Sequence, residues 1–419
     1  MSKTKISLAL ASMLLVSSAS FADDKTDIKM LKEEIKQLKE TTQSLIDETS
    51  DLKTGFNYTT VDVTKSHSGL GAAASKVYYS KSPLSIGGYG EMYYANKSVD
   101  GQDGSDSKVD LYRFIPYIGY KFSDNIILNT EIEFEHGGVE NDNGTAEGGA
   151  VVIEFYYLDF LFNENFNVRA GNILVPMGYV NQKHEPTLFT TVQRPNTSKY
   201  LIPSTWSESG AMVYGKITDT MDYKAGAVTG LGDSATGYKW IRSGRGGSFT
   251  NKNPKLGGFA RVDYTGVQGL MIGASIYADN TTKMFDIHGD YKLDGFKAYW
   301  VYTQTTRSND DVLAVGESTK AQGGFLNLSY DILSLTNSEY RAPIFIQYDS
   351  VNTQASLVGS TTSKYDPVNT TTIGINFFPH EQVVLKADYA MADNSFGNDL
   401  SANAKKGSDT FSVSLGFIF

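Results

Sequence analysis

The chain has 419 residues, of which 40% are hydrophobic, 12% aromatic and 20% charged, with a formal net charge of -10. Cysteine is absent, so no disulfide framework holds it together, and the acidic balance excludes nucleic acid as a partner class. Mean hydropathy is -0.28 and no apolar run reaches the roughly 20 residues a spanning helix needs, which excludes a helical membrane protein; a membrane barrel stays open, because its strands alternate apolar and polar residues.

At the start, Lys3 and Lys5 precede an apolar run from Ile6 to Val16, and Ser20-Phe21-Ala22 places small residues where a signal peptidase reads them. The reading is a secretory signal peptide over residues 1–22, cleaved after Ala22.

Residues 23–54 repeat every seven positions: Ile28, Leu31, Ile35, Leu38, Thr42, Leu45, Thr49 and Leu52 alternate spacings of three and four. This predicts an α-helical coiled-coil oligomerisation segment of about three and a half heptads. With Ile28 at an a position, Glu34 and Glu48 fall at g, and Lys39 and Lys53 at the following e positions, which favours parallel self-association. Ile at a with Leu at d leans toward dimers, while Thr42 and Thr49 weaken that lean; a helix lying on its own barrel or on a membrane surface is the alternative.

Residues 55–82 lose the heptad, are rich in Ser, Thr, Gly and Ala, and read as a linker. From Pro83 to the last residue the period is two. Ile126, Leu128, Thr130, Ile132 and Phe134 share one strand face while Asn129, Glu131, Glu133 and Glu135 share the other; Phe285, Ile287, Gly289, Tyr291 and Leu293 likewise oppose Asp286, His288, Asp290 and Lys292. A lipid-facing Arg or Lys at the bilayer midplane costs about 2 to 4 kcal/mol, so such sorting is what a transmembrane barrel requires.

Roughly 16 such segments of about 9 to 11 residues are expected, giving an all-β barrel of antiparallel strands over residues 83–419. Short turns, such as Ser123-Asp124-Asn125 and Asp294-Gly295, alternate with long polar loops, such as 137–149, 175–206 and 231–255. A short end and a long-looped end are the asymmetry of an outer-membrane barrel. The final strand carries Phe411, Val413, Leu415, Phe417 and Phe419 on one face, and its aromatic end resembles the signal read by the barrel-assembly machinery.

The run Arg169-Ala170-Gly171-Asn172-Ile173-Leu174-Val175-Pro176-Met177-Gly178 resembles the strand-to-loop step of the phosphate-selective porin O/P family and of coiled-coil porins of the dicarboxylate-channel type. The resemblance implies a trimeric channel of 16 or 18 strands with one loop folded into the lumen. Leu174 stands where phosphate porins often carry Lys, and no dense lysine ladder accompanies it.

A pore acts through fixed charges in a narrow aqueous passage. The expected lumen charges are Arg113, Lys121, Arg169, Arg261, Lys292, Lys297 and Lys386 against Glu131, Glu133, Glu154, Asp263, Asp286, Asp290, Asp349 and Asp388; mixed signs suit either a transverse field or wall-to-wall ion pairs. Residues 175–206 form the candidate constriction loop, stiffened by Pro186, Pro195 and Pro203 and carrying His184, Glu185, Arg194 and Lys199. Folded inward, it would set Arg194 and Lys199 against anionic solutes across from Glu185; an outward loop in subunit contact is the alternative.

The five histidines show no paired metal spacing and no nucleophile signature accompanies them, so no metal, cofactor or catalytic set is expected. The leading expectation is an outer-membrane porin, a homo-oligomer and by resemblance a trimer, passing small hydrophilic solutes, with anions a candidate class. Its expected partners are outer-membrane lipid and the barrel-assembly machinery, with the coiled coil periplasmic. A structural or adhesive barrel with a plugged lumen is the alternative.

Overall fold

A computed structural model describes residues 24–56, 61–138, 148–232, 236–246, 254–308, 313–359, 366–396 and 406–419, with side chains over 29–47 only in the first stretch. The expected signal peptide, and the heptad side chains Ile28, Thr49 and Leu52, lie outside the described residues. Two units result, one holding the first helix and the other the barrel.

The first unit is helix α1 (Asp24–Phe56), 33 residues without an internal proline. Its Lys, Glu, Gln and Leu content favours helix, and Thr41 and Thr42 turn their hydroxyls back onto the carbonyls of Gln37 and Leu38 at 2.9 and 2.7 Å, so these polar β-branched residues are accommodated. Leu31 and Leu38 of the heptad stripe are 55% and 62% exposed, which leaves an apolar seam uncovered within one chain.

In the second unit the strands are β1 (Leu84–Val99), β2 (Asp106–Ser123), β3 (Ile126–Glu135), β4 (Ala150–Leu161), β5 (Asn167–Leu174), β6 (Ser207–Thr218), β7 (Met221–Thr229) and β8 (Leu256–Val267), followed by β9 (Leu270–Ala278), β10 (Thr282–Leu293), β11 (Phe296–Arg307), β12 (Ser318–Asp331), β13 (Pro343–Leu357), β14 (Val368–His380), β15 (Val383–Ala392) and β16 (Ser408–Ile418). Each described strand pairs antiparallel with its sequence neighbours, and β1 with β16 closes a sixteen-strand barrel. Closure matters because an open edge would leave a row of unpaired backbone groups. The seam is finished by Phe419, whose N–H donates to the Gly88 carbonyl and whose carbonyl accepts from the Gly88 N–H, both at 2.9 Å.

Alternation sorts the two faces as expected. Ile287, Ile346, Ile373 and Leu385 point outward and are exposed, with Tyr120, Phe122, Phe162 and Phe166 toward the short-turn end and Phe134, Phe285 and Phe411 toward the long-loop end. Short turns join the even strands to the odd ones that follow, except between β12 and β13, where residues 332–342 include a 3-10 turn at Ile332–Leu335. At Asp294-Gly295 both residues have positive φ, 46° and 83°, the backbone a two-residue hairpin demands and the reason glycine stands second. The connection from β9 to β10 is short although it lies at the long-loop end.

The linker expectation for residues 55–82 is corrected. Residues 61–82 fold inside the barrel unit, where helix α2 (Ala72–Tyr79) buries Ala72, Ala73, Ala74 and Val77 against β1, β2 and β3. Small side chains read as linker composition because they carry little apolar signal, yet they are what lets a helix lie close to a barrel wall. Gly119 makes room for it: a Cβ there would strike Val77.

Candidate functional site in the barrel lumen

A lumen residue of a bare barrel would be solvated, yet Asn129, Glu131, Asp286, His288, Asn327 and Asp349 are all buried. The cover comes chiefly from the α2 segment and the long connection from β5 to β6, residues 175–206, with a shorter inward segment between β7 and β8.

That connection folds inward, and wall side chains hold its backbone around the lumen. The Gly178 N–H donates to Asp286 on β10 at 3.0 Å, and the Tyr179 hydroxyl to Asp290 at 2.9 Å. The Val192 N–H donates to Asp388 on β15 at 2.6 Å, and the Thr197 hydroxyl to Asp349 on β13 at 2.6 Å. Cations hold its carbonyls: Arg261 donates to Gly178, Lys297 to Leu188 and Lys386 to Thr191. Much of the charge expected to line water therefore fastens the loop, an economical answer to the cost of burying backbone polar groups.

The predicted site residues divide by role. Arg113 on β2 stacks over the Tyr112 ring at 3.8 Å and stands 3.7 Å from Glu91. Arg169 on β5 donates twice to Asp159, at 2.7 and 3.2 Å, and lies over the Tyr157 ring; it faces no open passage, because Tyr78 of α2 also bonds Asp159 and His67 stacks on Tyr78. Burial holds the His67 imidazole below its usual pKa.

Glu131, Glu133 and Glu154 gather with His184 on the wall of β3 and β4. His184 donates from Nδ1 to the Asn181 carbonyl at 2.8 Å and presents Nε2 to Glu131 at 3.1 Å. Glu185 does not stand opposite Arg194 and Lys199 as expected; it accepts from the N–H groups of Ala73 and Ala74 and so caps α2. Arg194 donates to the Tyr89 hydroxyl at 3.4 Å and the His184 carbonyl at 3.2 Å. Lys199 is lowered to about 8 by burial and by the neighbouring Arg242 and Lys239.

Sequence reading missed a second inward segment. Between β7 and β8, helix α3 (Trp240–Ser243) buries Trp240, whose indole N–H donates to the Thr353 carbonyl at 2.9 Å, while Arg242 and Arg245 donate to carbonyls of the first loop. The only signal was Trp240 between two basic residues, too little to distinguish a packed segment from a polar loop.

Among the described residues, a cavity lies toward each end of the lumen. One, of about 740 Å3, is lined by Lys183, Lys216, Lys224 and Arg261 against Asp124, Glu164, Asp222 and Asp263, toward the short-turn end. The other, of about 390 Å3 toward the long-loop end, is lined by Lys97 and Arg194 against Asp349 and Asp388, by the hydroxyls of Thr370, Thr372, Thr410 and Ser412, and by the ring of Tyr200 beside the stacked rings of Tyr238 and Phe396.

No family model matches the chain. A protein of Aquifex aeolicus strain VF5, itself described as uncharacterized, is 34% identical over 359 residues, covering 78% of this chain and 80% of that protein. The chain belongs to that protein's family. Among solved structures, the barrel of this family member is similar to an anion-selective porin from Comamonas acidovorans, with a TM-score of 0.54 at 13% identity over 80% of this chain and 99% of that one. It is similar also to the outer-membrane channel DcaP of Acinetobacter baumannii, with a TM-score of 0.53 at 13% identity over 80% and 97%, and to Salmonella typhi OmpF in complex with daunomycin, with a TM-score of 0.51 at 12% identity over 80% and 97%. The likeness establishes a porin fold.

Proposed function

We propose that the chain is an outer-membrane channel through which small hydrophilic solutes diffuse passively, narrowed by residues 175–206. The observation that carries this reading is the loop fastened across the lumen by wall charges, with a polar cavity toward each end. Such a loop narrows a passage to the size of a small solute while keeping charged walls, which is how a pore selects without binding tightly. The apolar outward face between aromatic residues suits a bilayer.

An anion preference is the finer proposal. Toward the long-loop end Lys97 and Arg194 line the cavity together with Asp349 and Asp388, but both carboxylates are engaged by loop N–H and O–H donors, while Arg242 and Lys239 stand beside Lys199 nearby. The domain division we propose is a cleaved signal over residues 1–22, a periplasmic coiled coil that assembles the chain as a homotrimer, and the barrel. Exposed Leu31, Ile35 and Leu38 support self-association.

The test is conductance and reversal potential of the purified mature protein in a planar bilayer under a salt gradient. Ohmic steps in threes with an anion-selective reversal potential are expected. Electrical silence from protein shown to be folded would overturn the channel reading in favour of a structural barrel closed by α2 and the loop.

A further inference from the structure

Glu131 on β3, Glu154 on β4 and His184 on the inserted loop bring one ligand atom each within 4.8 Å of the others, all from buried residues. They come from three elements, so no chain spacing announces them. Three independent features distinguish the group from a chance acidic cluster.

First, the hydrogen bond from His184 Nδ1 to the Asn181 carbonyl, an acceptor only, places a proton on Nδ1. A neutral ring then aims its Nε2 lone pair at Glu131 Oε1, 3.1 Å away, and Glu154 Oε2, 3.8 Å away. Three acceptors facing one another repel unless a positive species lies among them. The carbonyl bond is also the outer support that metal-ligating imidazoles ordinarily have.

Second, Glu131 Oε2 and Glu154 Oε2 are buried with no hydrogen-bond partner. A proton shared on Nε2 would satisfy one contact, to Glu131, and leave these oxygens bare. A divalent cation would engage several of them at once.

Third, the wall is built to deliver Glu154. Glu131 pairs with Phe155 and Ile132 with Ile153, so Glu154 is the extra residue of a β-bulge. Strict alternation with Tyr157 and Asp159 would send it outward; the bulge turns it into the lumen. Donor atoms sharing one cation at about 2.1 Å each stand roughly 3 to 4 Å apart, which the two measured separations match.

Against three carboxylates, Glu131, Glu133 and Glu154, the nearby cations are Arg113, which stands beside Glu91, Arg194, which bonds the His184 carbonyl, and Arg245, which bonds the Ser204 and Thr205 carbonyls. We propose that Glu131, Glu154 and His184 bind one borderline divalent first-row cation, of the Zn2+ or Mn2+ kind, which ties the inserted loop to the barrel wall. Two carboxylates and one imidazole are the donor set such ions take, whereas Ca2+ and Mg2+ prefer oxygen alone.

The test uses full-length mature protein, stripped with chelator, confirmed folded by heat-modifiable mobility, and then loaded with Zn2+ or Mn2+ alone, in one arm after folding and in the other during it. Elemental analysis after gel filtration should show one equivalent per chain more in the wild type than in Glu154→Gln or His184→Gln, and Mn2+-loaded protein should give a bound-ion resonance that the variants lose. Glu154→Gln keeps the side-chain shape and removes a buried charge, and His184→Gln reports separately should it misfold. Equal metal in wild type and folded variants would mean adventitious surface binding and would overturn the proposal. So would folded wild type that retains no metal in either arm, which would assign the site to a shared proton. Neither readout depends on conduction, so failure here leaves the channel reading standing.

Discussion

The Glu185 carboxylate accepts hydrogen bonds from the N–H groups of Ala73 and Ala74, at 3.3 and 3.0 Å, although 112 and 111 residues separate them. Gly71 closes the arrangement, since a Cβ there would overlap the Glu185 carboxylate. One side chain of the constriction loop thus caps the helix that occupies the lumen from the other end of the sequence, using the unpaired N–H groups and positive end that every helix N-terminus presents.

Glu185→Ala should therefore loosen α2 specifically. Loss of a cap costs about 1 kcal/mol, so amide exchange across residues 72–79 should accelerate roughly fivefold while the strands are unchanged. Exchange measured by mass spectrometry checks this. Uniform acceleration across the barrel would show a global rather than a local effect.

Arg194→Gln removes a charge lining the cavity toward the long-loop end. A unit charge at about 4 Å interacts by roughly 1 to 4 kcal/mol between water and a protein surface. At the aqueous end of that range, which suits a charge lining an open cavity, the anion-to-cation permeability ratio should fall by about fivefold, with the reversal potential moving toward the cation value and unit conductance little changed.

Lys199 supplies the pH dependence. Its value of about 8, from burial first and then from Arg242 and Lys239, means that it is charged below that pH and neutral above it. Anion preference should be full near pH 7 and decline as pH rises through about 8. Lys199→Met should show the high-pH selectivity at both ends, and a wild-type reversal potential constant from pH 6 to pH 9 would contradict the assignment.

In α1 the heptad stripe is the proposed trimer seam. Leu31→Asp with Leu38→Asp places charges at two d positions whose wild-type side chains are largely exposed in one chain. Light scattering in detergent should report monomers with an intact barrel. Trimers that persist would place the contact on the barrel instead.

Much of the architecture was legible along the chain because it follows from period. Alternation over β3 and β10 put Glu131, Glu133, Asp286 and Asp290 on the inner face, and the structure buries all four there. Turn positions such as Asp294-Gly295 were legible because two-residue hairpins need positive φ. The α2 segment was not, since Ala72, Ala73 and Ala74 carry too little apolar contrast to reveal a buried face.

What the sequence determined by itself is what repeats locally: the heptad of α1, the two-residue period of the strands and the unequal ends of the barrel. Only the tertiary structure decided which inner charges hold protein and which line a cavity. Arg169 and Arg194 read alike in the sequence, yet one is closed in by Asp159 and Tyr78 and the other lines a cavity. The physical reason is that a charge's role depends on what faces it, and in a barrel the facing groups come from other strands and loops, whether ten residues away, as Asp159 is from Arg169, or 105, as Tyr89 is from Arg194.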